Sequence, residues 1–314
     1  MKIVIMGTGG VGGLFGARLA QAGFDVTFIA RGAHLEAIKA HGLQVVSADR
    51  GNILIKDAQA VSDPKSVGVV DYIFLTVKLW DTDSAVQLIE PMVGEHTTVI
   101  SFQNGISRDD VLKAKLGAQH VLGGISYVGA TIQAPGVIEQ RGTVQKLVFG
   151  EYGGAKTERV LALQKACESA AIEVVVPDDI EKALWEKFIV LVAMSSITAS
   201  CRSPIGPVRE NPETRALLEA VMNEVAAVAK ARGVAISNDI VRQQMAYLDN
   251  LGKDVTASME HDLRHGNKLE LPWLAGTVVA LGRELNVATP VCAFVCAILS
   301  PYVAGSRNHS REPG

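Results

Sequence analysis

The sequence predicts an α/β domain followed by an all-helical domain. The chain opens with an apolar run, Ile3–Ile5, then a glycine-rich turn and an apolar helical pattern. Strand and helix patterns alternate to about residue 176, as a parallel sheet requires. From Pro177 onward the patterns are helical almost exclusively. We expect an α/β domain at 1–177, a helical domain at 178–304 and a polar, mobile tail at 305–314.

The glycine-rich turn, Gly7-Thr8-Gly9-Gly10-Val11-Gly12, fits the pattern G-x-G-x-x-G between a strand and a helix. Gly7 permits the tight turn, Gly9 lets a pyrophosphate approach the backbone, and Gly12 lets the helix pack close to the strand. Free N–H groups and the positive dipole end of the helix suit a phosphate. Because the strand–turn–helix context is present, we predict a Rossmann-like dinucleotide-binding domain rather than a merely structural turn.

The end of the second strand, at residues 25–30, indicates which dinucleotide binds. An NAD site usually places an acid there to hold the ribose 2′-hydroxyl. Here Arg31 follows the strand, and its forked cation suits a 2′-phosphate. A surface arginine at a strand end is the alternative. The missing acid and the arginine agree, so we predict NADP(H) as the cofactor.

The remaining elements follow from apolar periodicity and from turn and cap residues. In the first domain we expect helices at 34–40, 81–89, 111–116 and 157–171. We expect strands at 43–46, 53–55, 69–77, 97–102, 121–127, 136–140, 146–149 and 173–176. The strands at 136–140 and 146–149 should be antiparallel. In the second domain we expect six helices, at 180–200, 212–233, 238–250, 255–265, 270–285 and 290–303. Asn211 and Pro212 should start the second of these.

Composition limits the class of partner. The 314 residues carry a net charge of −3, with 48% hydrophobic and 20% charged residues, so no broad attraction to nucleic acid or membrane is expected. The four cysteines form no CxxC motif, which favours free thiols in a cytoplasmic protein. Cys292 and Cys296 lie one helical turn apart and are interpreted as small buried hydrophobes. No apolar run reaches the ~18 residues of a membrane span.

Two loops leave strand ends at the predicted carboxyl edge of the sheet, at 76–81 and 102–105. Ligands of open α/β sheets bind at that edge, so Lys78 and Asn104 should point toward the cofactor crevice. A solvated lysine and a turn residue before Gly105 are the alternatives. Position alone leaves both interpretations open.

Two further residues belong to the helical domain. Lys187 stands in the apolar stretch Leu184–Val190, where it could extend to the surface or, with a lowered pKa, donate a proton. Glu270 is expected to open a helix, where an acid also has an ordinary role in the first turn.

Taken together, these stretches resemble ketopantoate reductases (2-dehydropantoate 2-reductases), NADP-dependent enzymes of pantothenate synthesis. The resemblance spans about residues 1–303. Its matching pieces, in order, are Gly7–Gly12, Arg31, Thr76-Val77-Lys78, Gln103-Asn104-Gly105, Leu184-Trp185-Glu186-Lys187-Phe188, Ser258-Met259 with Asp262, and Leu269-Glu270-Leu271.

The resemblance implies a role for each matching residue. Lys187 would protonate the carbonyl oxygen as hydride arrives, and Glu270 would hold the substrate and the lysine's network. Asn104 would lie in the crevice that binds the cofactor and the substrate. Ser258 would lie near the substrate carboxylate, and Lys78 would lie beside the cofactor. The chemistry is coherent, because a ketone that accepts hydride becomes an alkoxide and needs a cation or acid at its oxygen.

The chain also departs from the family pattern. Leu191 and Ser195 stand where the family carries asparagines after the lysine, and Pro272 replaces an aspartate. A further asparagine near Pro204 is missing. Because the family's amides bind the hydroxy-acid, the pattern does not determine the substrate of this chain. The sequence gives neither the oligomeric state nor whether turnover is retained. The alternatives are a reductase of another small 2-oxo acid and a noncatalytic NADP(H)-binding sensor. A homodimer is possible.

One rival motif points to a metal. His261-Asp262-Leu263-Arg264-His265 places two histidines at i and i+4, as in H-E-x-x-H zinc sites. The second residue is Asp, no third ligand is evident and the neighbours are charged. We therefore interpret this segment as a solvated helix face and expect no metal.

Overall fold

The computed structural model describes residues 1–305, so the predicted mobile tail lies outside the described residues apart from Gly305. The described chain forms two compact units. The first comprises Met1–Asn104 and Arg108–Glu181. The second comprises Gly105–Ser107 and the described chain from Lys182 onward.

The first unit contains a ten-stranded mixed sheet. Its strands are β1 (Lys2–Met6), β2 (Asp25–Ile29), β3 (Leu43–Ser47), β4 (Ile53–Ile55), β5 (Gln59–Val61), β6 (Tyr72–Leu75), β7 (Thr98–Ser101), β8 (Val121–Ala134), β9 (Val137–Gly150) and β10 (Glu173–Val175). The order is β4-β3-β9-β8-β7-β6-β1-β2-β5, and β10 pairs with β9. Strands β8, β7, β6, β1, β2 and β5 are consecutive parallel neighbours, which confirms the Rossmann-like part of the predicted fold.

Twelve α-helices lie within residues 1–305. They are α1 (Gly10–Gln21), α2 (Gly32–His41), α3 (Thr82–Ile89), α4 (Arg108–Leu116), α5 (Glu158–Ser169), α6 (Ile180–Cys201), α7 (Ile205–Glu210), α8 (Pro212–Ala231), α9 (Ile240–Asp249), α10 (Ser258–Arg264), α11 (Ala275–Glu284) and α12 (Pro290–Leu299). The described part of the second unit contains helices and turns and no strand, which confirms the helical C-terminal domain.

The first strand is apolar because it is central. β1 pairs with β2 on one side and β6 on the other, and Ile3, Val4 and Ile5 are fully buried. A strand of a parallel sheet covered on both faces is a continuous apolar run rather than an alternating one. The chain therefore begins with the strand that positions the glycine-rich turn.

The long hairpin formed by β8 and β9 differs from the prediction. The pairing is antiparallel, as expected, but both strands have 14 residues: β8 extends beyond the predicted 121–127 to Ala134, and β9 continues through the stretch left unassigned between 140 and 146. The register shifts between Val128 and Gly129, where Gln145 and Arg141 are the successive partners, so residues 142–144 bulge from the ladder. Gly142, with φ +71°, lies in this bulge.

The N-terminus of α8 agrees with its sequence signals. Asn211 Oδ1 accepts from the backbone N–H groups of Glu213 (3.0 Å) and Thr214 (3.2 Å), and Pro212 occupies the first turn. This is the capping arrangement that satisfies otherwise unpaired N–H groups of a first turn. The short helix α7 before it was missed, because six residues that include Gly206 and Pro207 are too few to show helical periodicity.

Helix α6 is long and apolar enough to cross a membrane, with a mean hydropathy of 1.4 over its most apolar 18-residue window. Of that window, 61% is buried inside the protein. Phe188, Ile189 and Val192 are fully or almost fully buried members of the second unit's apolar core. Burial of this kind is typical of the central helix of a helical domain.

Candidate active site

The glycine-rich turn is held by the sheet. Gly7 has φ +107°, and a Cβ there would lie 2.7 Å from the backbone nitrogen of Val77. A Cβ on Gly12 would contact the Gly7 carbonyl oxygen and lie 2.7 Å from Ile5 Cγ2. Thr8 donates from its backbone N–H (3.0 Å) and from Oγ1 (2.9 Å) to the Ile29 carbonyl at the end of β2. Gly7 and Gly12 are thus needed for the turn and its packing.

Gly9 has a different environment. It precedes α1 with φ −83°, and a Cβ added to it would meet nothing within 4 Å. Within residues 1–305 no side chain caps α1, and its first turn contains no acid. An open approach to an uncapped helix N-terminus fits a bound phosphate, because the first-turn N–H groups and the helix dipole favour an anion.

Gly10 and Val11 complete the motif. A Cβ on Gly10 would contact the Ala130 carbonyl oxygen and lie 2.8 Å from the backbone nitrogen of Thr131. Gly10 is therefore required by the close approach of β8, and Val11 packs, half-buried, against the core of the sheet. The sequence pattern did not distinguish this packing role from a contact with a ligand.

Arg31 is exposed and directly precedes α2, at the end of the segment that leaves β2. One turn later, His34 Nδ1 accepts from the backbone N–H of Gly136 (3.0 Å), which attaches the turn of the β8–β9 hairpin to this helix. Burial lowers the pKa of His34, and a backbone hydrogen bond to Thr8 opposes that shift. His34 was missed because nothing in the sequence links residue 34 to residue 136.

Lys78 and Asn104 follow neighbouring parallel strands. Leu75 at the end of β6 pairs with Ser101 at the end of β7, and Leu75 also pairs with Met6 at the end of β1. The loops with Lys78 and Asn104 therefore lie at the same edge of the sheet as the glycine-rich turn, as predicted. Lys78 is exposed and its Nζ lies 5.6 Å from the Trp80 ring centroid, while Asn104 is half-buried.

In the second unit, Lys187 is half-buried on α6. Leu191 lies one turn further along the same face of the helix and is also half-buried. Ser195, two turns on, is 0% exposed, and its Oγ has no hydrogen-bond partner within the described residues. The departures from the family pattern therefore differ: Leu191 adds partly exposed apolar surface, whereas Ser195 is enclosed in the protein.

Glu270 and Ser258 also belong to this unit. Glu270 is only 6% exposed, and it precedes a 3-10 turn, Leu271–Trp273, rather than an α-helix. The predicted helix from residue 270 therefore begins only with α11 at Ala275, because Leu274, with φ −102° and ψ −101°, departs from helical geometry. Ser258 is the first residue of α10 and is exposed.

The two histidines of α10 interact with each other. Their ring centroids are 4.1 Å apart, and His265 Nδ1–H donates to the His261 carbonyl oxygen (2.8 Å). Arg264 pairs with the buried carboxylate of Glu260 on the same helix. Across residues 1–305, no three His, Cys, Asp or Glu side chains are arranged to hold a metal ion.

All four cysteines are free thiols. Cys167 and Cys292 are buried, and Cys296 is half-buried. Burial raises the pKa of Cys167 to about 12 and raises the pKa of Cys292 as well. The backbone N–H groups of Val291 and Cys292 donate to the Glu224 carboxylate (2.7 and 2.9 Å), which caps α12. Thiols with raised pKa values are poor nucleophiles, so packing explains the buried cysteines.

The fold and the open glycine-rich turn define a dinucleotide-binding protein with a helical second unit. Residues 3–154 match the family model described as ketopantoate reductase PanE/ApbA, and residues 179–303 match that of its C-terminal domain. The chain belongs to the ketopantoate reductase family of oxidoreductases.

Relatives match over almost the whole length of the chain. A 2-dehydropantoate 2-reductase of Mesorhizobium japonicum is 30% identical over 320 residues, covering 95% of this chain and 97% of that protein. An uncharacterized oxidoreductase, YkpB, of Bacillus subtilis is 28% identical over 304 residues, with 97% and 99% covered. The crystal structure of a PanE/ApbA family ketopantoate reductase from Ralstonia eutropha has a TM-score of 0.88 at 30% identity, with 96% and 98% covered.

Proposed function

We propose that this protein reduces a 2-keto acid to a 2-hydroxy acid with NADPH, and that ketopantoate is the first candidate substrate. The observation that carries the proposal is the open approach at Gly9 to an uncapped helix N-terminus, in a chain that belongs to the ketopantoate reductase family. The 2-dehydropantoate 2-reductases among its relatives support the choice of substrate.

In this proposal each unit has its own task. The coenzyme supplies hydride to the carbonyl carbon. In the first unit, Gly7–Gly12 and Arg31 bind the phosphates, while Lys78 and Asn104 orient the nicotinamide half and the substrate. In the second unit, Lys187 donates a proton to the carbonyl oxygen and Glu270 holds that lysine and the substrate. Ser258 donates to the substrate carboxylate.

A coenzyme-oxidation assay tests the proposal. The purified protein is incubated with NADPH and a panel of 2-keto acids, ketopantoate among them, and NADPH consumption is measured. Turnover of ketopantoate supports the leading proposal, and turnover of a different 2-oxo acid alone supports a related reductase. Tight NADPH binding without turnover on any member supports the noncatalytic sensor.

Replacing Arg31 by alanine tests the choice between NADPH and NADH. We expect NADPH to bind the wild-type protein more tightly than NADH, because the exposed guanidinium can pair with a 2′-phosphate. Removing a charge-assisted hydrogen bond costs about 1.5–3 kcal/mol, so the variant should bind NADPH roughly ten- to a hundredfold more weakly. Its affinity for NADH should hardly change. Equal affinities of the wild-type protein for both nucleotides would contradict the role of Arg31.

The preference for ketopantoate over 2-keto acids that lack its hydroxyl should be weaker than in a site lined by amides. Leu191 is apolar and Ser195 is enclosed, so neither replaces the missing amides. The loss of two neutral hydrogen bonds, each worth about 0.5–1.5 kcal/mol, should lower the preference for ketopantoate by roughly tenfold to a hundredfold. We therefore expect 2-oxoisovalerate, which lacks the hydroxymethyl group, to approach ketopantoate in kcat/KM.

A restoring variant sharpens this comparison. Leu191→Asn returns one amide and should raise the preference for ketopantoate by about two- to tenfold. A wild-type preference for ketopantoate of a thousandfold or more, about 4 kcal/mol, would show that other residues replace the amides. The chain would then be an ordinary ketopantoate reductase.

We also propose a cytoplasmic protein without nucleic-acid or membrane partners, supported by the net charge of −3 and the buried environment of α6. A homodimer through α12 fits two exposed apolar side chains of that helix, Phe294 (61% exposed) and Ile298, and Tyr302 in the 3-10 turn that follows it. Sedimentation of the wild-type protein and of Phe294→Glu tests it: we expect a dimer and a monomer respectively. A monomeric wild-type protein would refute the dimer.

A further inference from the structure

A buried chain of hydrogen bonds links two loops at the carboxyl edge of the sheet in the first unit. Gln103 lies directly before Asn104, and its Nε2 donates to the carbonyl oxygen of Val77 (2.9 Å). Val77 lies directly before Lys78. The same Nε2 donates to Thr82 Oγ1 (2.9 Å) at the start of α3. One amide therefore connects the loop that carries Lys78 to the loop that carries Asn104.

The orientation of this amide is set by its neighbours. A guanidinium can only donate, and Arg108 Nε donates to Ser101 Oγ (2.9 Å). The Ser101 hydroxyl hydrogen is then directed to Gln103 Oε1 (3.0 Å), which turns the Nε2 group toward Thr82. Thr82 Oγ1 accepts that bond and donates to the Leu79 carbonyl oxygen (2.8 Å).

All four side chains of this relay are buried: Arg108, Ser101, Gln103 and Thr82. Donors and acceptors alternate in one direction from α4 to the turn after Lys78. Hydrogen bonds arranged in this way polarise one another and are stronger in a buried setting than in water. Because each member has a single compatible orientation, the relay fixes the separation of the two loops.

We infer that Gln103 is a positioning residue that sets Lys78 and Asn104 at the distance required by the coenzyme and the keto acid. This inference rests on the proposed function. Asn104 and Lys78 were predicted to face the ligand because they follow strands. Gln103 can act without touching a ligand. Its effect passes through the carbonyl oxygen of Val77 and the hydroxyl of Thr82.

Thr82 offers a matched pair of variants. Thr82→Val keeps the side-chain shape and removes the hydroxyl that receives the Gln103 bond, whereas Thr82→Ser keeps the hydroxyl. Ser84→Ala removes an exposed hydroxyl of the same helix, which bonds only locally to the Asp81 carbonyl oxygen (2.9 Å) in the described structure, and serves as the control. For each, the Kd of NADPH, the KM of ketopantoate, kcat and the melting temperature are measured.

Thr82→Val loses both the bond from Gln103 and the bond to the Leu79 carbonyl oxygen. We expect it to raise the Kd of NADPH or the KM of ketopantoate about five- to a hundredfold, the effect of two hydrogen bonds. Thr82→Ser and Ser84→Ala should stay within about twofold of the wild-type protein by the same scale. Gln103→Leu, which removes the two bonds donated by Nε2 and the bond accepted by Oε1, should have the larger effect. If Thr82→Val differs from Thr82→Ser only in melting temperature, the relay is merely structural and the inference is overturned.

Hydrogen exchange tests the coupling of the two loops even if the proposed function fails. If the wild-type protein neither binds NADPH nor reduces a 2-keto acid, the proposed function fails. Exchange of the backbone amides at 77–82 and 103–105 is then compared between Thr82→Val and Thr82→Ser. Faster exchange in both segments of Thr82→Val supports the coupling of the two loops, and faster exchange in one segment or neither overturns it.

Discussion

Replacing Lys187 by alanine is expected to lower kcat by about a hundred- to ten-thousandfold, the usual contribution of a positioned general acid. The lysine is half-buried on an apolar helix of the second unit. It acts on the substrate oxygen in the proposed reaction, so the affinity for NADPH should remain within about twofold. An interaction made only in the transition state lowers kcat and kcat/KM together.

Two variants control for charge and for helix stability. Lys182→Ala removes a lysine five residues earlier on α6, whose Nζ lies 3.9 Å from Glu186 Oε1, and should keep normal turnover. Lys187→Arg retains the cation, but a guanidinium does not release its proton near neutral pH, so turnover should stay low. Near-normal kcat of Lys187→Ala on the true substrate would remove Lys187 from the catalytic role.

A methyl group at Gly9 should block the coenzyme without disturbing the fold. A Cβ there meets nothing within 4 Å, and φ of −83° is accessible to alanine. In the complex the same methyl would occupy the approach of a phosphate. A misplaced methyl in a packed site costs about 1–3 kcal/mol, so NADPH should bind roughly five- to a hundred-and-fiftyfold more weakly. The melting temperature without coenzyme should be unchanged.

Gly12→Ala is the matched counterpart. Its Cβ would contact the Gly7 carbonyl oxygen and Thr76 Oγ1, both part of the packed turn. This variant should lose stability even without coenzyme, because the backbone of the turn must move to admit the methyl. NADPH binding by Gly9→Ala equal to that of the wild-type protein would show that no phosphate approaches Gly9.

The parts of the fold that sequence predicted are those determined by local signals. The apolar run of β1, the glycine spacing and the Asn211–Pro212 start of α8 each act over a few residues, and each appears in the structure. The placement of Lys78 and Asn104 followed from one topological rule, that the carboxyl ends of parallel strands share an edge.

The missed features depend on contacts between distant segments. Strand β9 continues past Gly142 because it pairs with β8 on both sides of the bulge at 142–144, which local sequence does not reveal. Gly10 is required by Ala130, 120 positions away in the chain, although the motif suggested a contact with the ligand. Gln103 stood in a stretch that matched the family, but its bonds to Val77 and Thr82 were not predicted, since those partners lie in a segment that only the sheet brings near.

The most direct test of the central claim follows the hydride itself. The protein is given ketopantoate and NADPH that carries deuterium at the transferable position of the nicotinamide, and the product is analysed by mass spectrometry and NMR. We predict one deuterium at C2 of pantoate for each NADPH oxidised, and loss of this product with Lys187→Ala. Tight NADPH binding with no labelled 2-hydroxy acid from any 2-keto acid of the panel would contradict the assignment as a reductase.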